Sequence, residues 1–170
     1  MKINKLLYCL IPFIGTLLIA QDDLLIGNIS GLTANPGFYL VTLTFYILMG
    51  SCYAKTIKRV TNKKIACLGF IGIVISIIVP YSFTNQIQAF IHITCAYIGF
   101  SIFTLVLFKT IQELGYQDYA LSQKLKYFFL EILLVILLFY IGYSLINGLM
   151  EIIYLFGIDI VLGIIEEKAN

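Results

Sequence analysis

Apolar residues in this chain do not alternate with polar ones at the spacing of a half-solvated helix or strand. They run in six blocks, about 6–21, 38–54, 65–80, 87–108, 127–146 and 149–165, with short polar connections between them. A bilayer-crossing helix needs about 20 predominantly apolar residues. Backbone N–H and C=O groups surrounded by lipid must be paired within their own segment, and a helix does this. The pattern therefore predicts an all-α fold, a polytopic transmembrane bundle of six helices forming a single integral membrane domain over 1–170. The third and sixth blocks are short and predict local bilayer thinning or help from flanking residues. Pro80-Tyr81 closes the third block, and Asn147-Gly148, a tight-turn pair, opens the sixth.

Charge gives the blocks a direction. All eleven Lys and Arg residues fall in alternate connections. Lys2 and Lys5 precede the first block, and Lys55, Lys58, Arg59, Lys63 and Lys64 follow the second. Lys109, Lys124 and Lys126 follow the fourth, and Lys168 lies in the tail. The connections 21–37, 81–86 and 147–148 contain neither Lys nor Arg. Basic loops stay cytoplasmic because their translocation is unfavourable. Both termini are thus predicted inside, with the protein in the cell (inner) membrane. The connection 109–126 is the longest cytoplasmic loop on this reading. Little Arg beside abundant Ile, Lys, Asn, Tyr and Phe points to an AT-rich, bacterial genome.

Composition agrees with a lipid environment: 61% of residues are hydrophobic and 12% charged, where soluble domains carry roughly 25% charge. The basic residues read as topology signals and as contacts for anionic headgroups. They give no case for nucleic-acid binding. Lys2, Lys5 and the run from Leu6 to Ala20 also match a signal peptide. Leu18 is a poor residue two positions before a cleavage at Ala20, while Pro12 and Gly15 suit a kinked helix retained in a bundle. Asn28-Ile29-Ser30 matches a glycosylation acceptor, which matters only in a glycosylating cell. Leu24 to Ile29 is apolar enough to lie along the interface. Cys9, Cys52, Cys67 and Cys95 form no Cys-x-x-Cys and no external pair, so they read as small apolar residues at helix contacts.

Small residues mark faces for close helix approach. Ala66, Gly69, Gly72 and Ser76 form one stripe, and Ala89, Ala96 and Gly99 another. Ordinary bundle contacts account for them, with dimerisation as the alternative. Tyr39, Tyr81, Tyr116, Tyr119 and Tyr127 fall near the span ends, as an aromatic belt does.

Candidate chemistry rests on ionisable residues inside the spans: His92, Glu131, Glu151 and Asp159. A charge at mid-bilayer costs roughly 2.5–3.5 kcal/mol on insertion scales, so such residues face the interior and find partners. Chain direction places His92 and Glu151 in the outer leaflet, with Asn147, Gln86 and Gln88 nearby, and Glu131 and Asp159 in the inner leaflet. His92 with Glu151 reads either as a proton-exchanging or headgroup-binding site or as a hydrogen bond locking two helices. Glu131 is expected to reach the interface or pair with Lys124 or Lys126. Asp159 is deeper, and two carboxylates together would raise one pKa.

Enzyme signatures are few. His92-x-x-Cys95 carries the residue types of a thiol hydrolase, but residues three apart on one helix are poorly placed for the in-line geometry that reaction needs. One His without paired Cys leaves too few metal ligands, so no metal or cofactor is expected. Gly-rich phosphate loops and Gly-x-Ser-x-Gly are absent from the sequence.

The order of several residues carries a resemblance. Ile29-Ser30-Gly31 and Asn35-Pro36-Gly37-Phe38 follow the first block. Gly50 lies in the second, Pro80 ends the third, and His92 opens His-Ile-Thr-Cys-Ala-Tyr-Ile-Gly-Phe. The last block begins Gly148-Leu-Met-Glu151 and carries Phe156-Gly157. Over most of its length the chain resembles six-span proteins related to the damage-regulated autophagy modulator (DRAM) family and their bacterial relatives of unknown function. The resemblance implies a six-helix membrane protein without an established catalytic activity. His92 and Glu151 stand where that family keeps a His at the outer start of helix four and a Glu at the start of helix six. Ile152 departs from the aromatic residue that usually follows that Glu.

The expected function is that of a small non-enzymatic membrane protein. It binds a lipid headgroup, a small ligand or a partner protein at an outer-leaflet cleft near His92 and Glu151, with Asn147, Asp159 and Glu131 as further candidates. The alternative is a small-solute transporter, or the substrate-binding subunit of a larger one. A third reading is a membrane hydrolase using His92 with Cys95 or Glu151. Expected partners are membrane lipids, a small ligand and, at 109–126, a second copy or another protein.

Overall fold

The computed structural model describes residues 3–19, 29–143 and 147–169. Lys2, Asp22, Asp23, Asn28 and the stretch 24–28 lie outside the described residues, as do the side chains of Lys5 and Cys9. Every element described is helical. In order these are α1(Ile3–Ile19), α2(Ile29–Leu32), α3(Pro36–Val60), α4(Lys63–Ile75), α5(Gln86–Leu114), α6(Tyr119–Tyr143) and α7(Gly148–Lys168). Four of them, α3, α5, α6 and α7, are long and apolar enough to cross a membrane. The chain forms two compact units, 30–113 and the combination of 1–29 with 114–170.

In unit 30–113, α3 starts where Asn35 accepts the Gly37 N–H at 3.0 Å and Pro36 supplies a first helical residue that needs no donor. Asn62 caps α4 in the same way, accepting from Ile65 at 3.0 Å, so α3 and α4 form a tight hairpin. The stripe of small residues does what such a face permits. Ala66, Gly69 and Gly72 are buried. A Cβ on Gly72 would lie 3.0 Å from the Gly99 carbonyl of α5, so two backbones touch there. Tyr53 stacks on Phe103 at 5.7 Å, and Ile57, Leu107 and Ile111 fill the core beside them.

In the other unit, α7 packs against both α1 and α6. Half of the apolar stretch of α7 is buried, against 11% for α6. Its Leu155, Ile158, Val161, Leu162 and Ile165 make the core. Gly157 receives Ile132 of α6, and Gly163 faces Tyr8 of α1. Asp118 caps α6 by accepting the Leu121 N–H at 3.1 Å, and its other oxygen pairs with Lys168 at 2.9 Å. The start of α6 and the end of α7 therefore meet.

The helices depart from the expected spans in three places. The third block folds as 13 helical residues that stop at Ile75, not Pro80; at 1.5 Å per residue that is about 20 Å, well short of a bilayer core of about 30 Å. The last helix continues to Lys168. The connection 109–126 is mostly helical: α5 runs on to Leu114, with a Lys109–Glu113 pair one turn apart at 2.8 Å, and α6 begins at Tyr119. Charged residues end an apolar block, but four-residue spacing lets them continue the helix.

Candidate functional site

The most specific polar geometry in unit 30–113 follows the early stop of α4. A helix that ends leaves its last carbonyls without intrahelical donors, and lipid supplies none. Three consecutive carbonyls beyond α4 each receive a side chain. The Tyr39 hydroxyl donates to Ile78 at 2.9 Å, His92 Nδ1–H donates to Val79, and Gln88 Nε2 donates to Pro80 at 3.0 Å. Gln88 and His92 are one turn apart on α5, so a single helix face presents both. Thr33 adds a fourth tie by accepting the Tyr81 N–H at 2.8 Å.

His92 is 1% exposed. A carbonyl only accepts, so Nδ1 carries the proton in this bond and the Nε2 of the neutral ring is an acceptor. That Nε2 is buried without a hydrogen-bond partner, as is the Thr42 hydroxyl on α3. The Tyr81 ring meets His92 edge-on at 5.5 Å, and its own neighbour Phe83 edge-on at 5.0 Å. Cys95 is a half-buried free thiol.

Tyr81 and Phe83 also line an open cleft of about 400 Å³. Its polar wall consists of Thr33, Tyr39, Tyr81, Ser82, Thr84 and Gln88. The cleft lies at the end of α3 and α5 remote from Lys58, Arg59 and Lys109. His92 sits behind it, separated by the Tyr81 ring.

The remaining sequence-predicted residues belong to the other unit. Asn147 is fully buried and caps α7, its Oδ1 accepting the Met150 N–H at 3.1 Å; its Nδ2 has no hydrogen-bond partner. Glu151, in the first turn of α7, accepts the N–H of the fully buried Ile29 at 2.6 Å. That carboxylate fastens the start of α2 to α7. Asp159 is buried, whereas Glu131 is exposed on α6. The Gly157–Ile132 contact places these two carboxylates at one height of the antiparallel pair. Of the two expectations for Glu131, reaching the interface or pairing with Lys124 or Lys126, no such ion pair forms among the described residues. Those lysines lie five and seven residues away, and neither spacing puts them beside Glu131 on a helix.

Sequence reasoning placed Tyr39 and Tyr81 in an interfacial belt and did not single out Thr33, Thr42 or the buried Glu166. One signal was available, the four-residue spacing of Gln88 and His92. The target of both side chains, unwound backbone at 78–80, carries no sequence mark beyond Pro80. Among the described residues no cluster of His, Cys, Asp and Glu has the geometry to hold a metal ion. Comparison with family models, curated proteins and solved structures finds no match for this chain.

Proposed function

We propose that this chain is an integral membrane protein of six crossings, with both termini cytoplasmic, that binds a lipid headgroup or a small polar ligand at the cleft in front of His92. Four long apolar helices support the membrane setting. The alternation of basic and base-free connections supports the orientation; the two shorter crossings are assigned to α1 and to α4 together with the backbone that continues it to Pro80. The observation that carries the binding role is the cleft itself, a mostly apolar and aromatic concavity into which Tyr39, Ser82, Thr84 and Gln88 bring hydroxyl and amide groups. Concave sites with a few convergent polar groups are where small ligands bind. The resemblance to the DRAM-related six-span proteins belongs with this reading, as does a partner at the turn between α5 and α6.

The test is purification in mild detergent followed by mass spectrometry of co-purifying lipids and small molecules. A species retained by the parent protein and lost from both His92→Ala and Tyr81→Ala supports the reading. Glu151→Gln, in the other unit, serves as the control that should retain it. A profile unchanged in all three variants sinks the binding role and leaves His92 as a clamp.

Solute transport is the second reading, favoured by one observation. A short helix followed by unwound backbone at membrane depth is a form transporters use around bound ions. The carbonyls of Ile78, Val79 and Pro80 already accept side-chain donors, so ion coordination there requires displacing one. Solute uptake by reconstituted vesicles, abolished by His92→Ala, would move transport ahead.

A further inference from the structure

We infer that the ligand of this cleft is a neutral polyhydroxyl group, a sugar or polyol carried on a lipid or free in solution. The inference rests on the binding reading above and names its ligand class. The first argument is charge. Among the described residues, no Lys, Arg, Asp, Glu or His lines the cleft. A phosphate or carboxylate entering it would give up water without meeting a cation, and an ammonium would meet no carboxylate. A neutral hydroxyl exchanges one set of hydrogen bonds for another at little net cost.

The second argument is unspent hydrogen-bonding capacity. After donating to Ile78, the Tyr39 oxygen keeps its acceptor lone pairs. After donating to Pro80 from Nε2, Gln88 keeps its amide oxygen. Ser82 Oγ accepts the Asn85 N–H at 3.1 Å and shares one long contact of 3.4 Å with the Thr84 hydroxyl, so Thr84 keeps most of its capacity and Ser82 keeps a proton to donate. Groups that do both, alternating around a small cavity, complement a molecule whose own groups do both. Phosphate esters mainly accept and ammonium groups only donate.

The third argument is the rings. Tyr39, Tyr81 and Phe83 line the same cleft, and Phe83 is 78% exposed. The electron-rich face of an aromatic ring attracts partly positive C–H groups, and a sugar ring presents such groups on one face and hydroxyls around its edge. An exposed phenyl ring held edge-on by Tyr81 is a platform for that face. The volume, about 400 Å³, lies at the small end of the roughly 300–1,000 Å³ usual for ligand sites. One sugar ring or a short polyol fits that scale.

The experiment uses the full chain, purified in an amine-oxide detergent whose headgroup carries no sugar. In one arm the protein is placed in phosphatidylcholine nanodiscs doped with monoglucosyl diacylglycerol or, separately, with phosphatidic acid, and retained lipid is measured by native mass spectrometry. In the other, methyl β-glucoside and inorganic phosphate are tested by saturation-transfer NMR. Phe83→Ala is the main variant, because so exposed a ring leaves the core untouched, and Gln88→Leu is the second. The expected result is retention of the glucosyl lipid, weakened at least tenfold by Phe83→Ala, with no retention of phosphatidic acid. A signal from methyl β-glucoside as well identifies a free sugar as sufficient; its absence makes the lipid the source. Phe83-dependent binding of phosphatidic acid or phosphate overturns the neutral ligand and leaves the cleft as a binding site. Glucosyl-lipid retention that both variants leave unchanged overturns this site. No retention of any probe overturns both readings.

Discussion

Both units cap helices with polar side chains, Asn35 and Asn62 doing so in 30–113, but 30–113 adds a second use. In 30–113 the side chains Tyr39, Gln88 and His92 serve backbone carbonyls that a short helix leaves open. In the other unit, polar groups cap helices: Asn147 starts α7, Asp118 starts α6, and Glu151 holds the N–H that opens α2. Helix contacts differ too. Gly72 and Gly99 bring backbone onto backbone, whereas Gly157 receives the side chain of Ile132. The Gly72–Gly99 contact is therefore one where little can move, whereas Gly157, like Gly50 and Gly69 in unit 30–113, faces a side chain. Polar residues within apolar spans do not all mark function, and what each one touches decides its role.

The sharpest way to break this comparison is to add one methyl group to each glycine contact. A Cβ on Gly99 would lie 2.8 Å from both the backbone N and the Cβ of Ser76, and closer still to the Gly72 carbonyl. Nothing flexible stands there, so Gly99→Ala should cost about 3 kcal/mol or more, the upper end of overpacking. Gly157→Ala meets Ile132 Cδ1 at 2.6 Å and Cγ2 at 3.0 Å, atoms of one side chain that can shift more readily than backbone, and should cost about 1–2 kcal/mol. Gly142→Ala meets nothing within 4 Å and serves as the control; helix propensity alone favours it by about 1 kcal/mol. Thermal unfolding in detergent ranks the three. Equal losses at Gly99 and Gly157 would remove the distinction between rigid and yielding contacts.

The second comparison sets His92 against Glu151, each the acceptor or donor for one backbone group. His92→Leu leaves the Val79 carbonyl unsatisfied and should destabilise by roughly 1–3 kcal/mol. Glu151→Gln keeps an oxygen facing the Ile29 N–H and should cost less than about 1 kcal/mol, whereas Glu151→Leu orphans a buried donor and should match His92→Leu. Hydrogen exchange at Ile29 reads the second site directly: fast in Glu151→Leu and protected in Glu151→Gln. A harmless His92→Leu would mean that the 78–80 backbone finds other partners.

The helical class, the long apolar helices and the small-residue stripe were legible in the sequence because each rests on a local pattern. Ala66, Gly69 and Gly72 repeat at helical spacing and are buried as that spacing requires. The ends of helices were less legible. Hydropathy falls at Lys109 and recovers at Tyr127, yet helix occupies most of the interval, because backbone pairing continues wherever charged neighbours are compatible. The site was half legible. His92 and Glu151 stood out as ionisable residues in apolar surroundings. Their partners, the Val79 carbonyl and the Ile29 N–H, are backbone atoms that every residue carries and no sequence pattern marks. The uncharged cleft was hidden for a related reason: its hydroxyls come from separate segments, 33–39 and 80–88, that only the fold joins.

The smallest expected effect separates two lysines. Lys109 pairs with Glu113 one turn along its own helix. Lys168 reaches from the end of α7 to Asp118 before α6, and so joins two elements. The Lys168 ammonium, then the Leu121 N–H, hold the Asp118 carboxyl below its ordinary value. A carboxyl whose pKa is depressed by folding stabilises the fold at pH above its unfolded value, near 4, and that contribution disappears as pH falls through the folded value. Lys168→Met should therefore raise the Asp118 pKa toward normal while leaving it somewhat low, because the Leu121 N–H remains. A side-chain carboxyl titration by NMR measures this, and added salt should reproduce part of the shift in the parent protein. Lys109→Met should leave Asp118 unmoved. Because the pair is solvent-accessible, its effect on unfolding temperature should be slight. An Asp118 pKa insensitive to Lys168→Met would mean that the cap alone sets it, and that the end of α7 is held by its apolar face against α1 and α6.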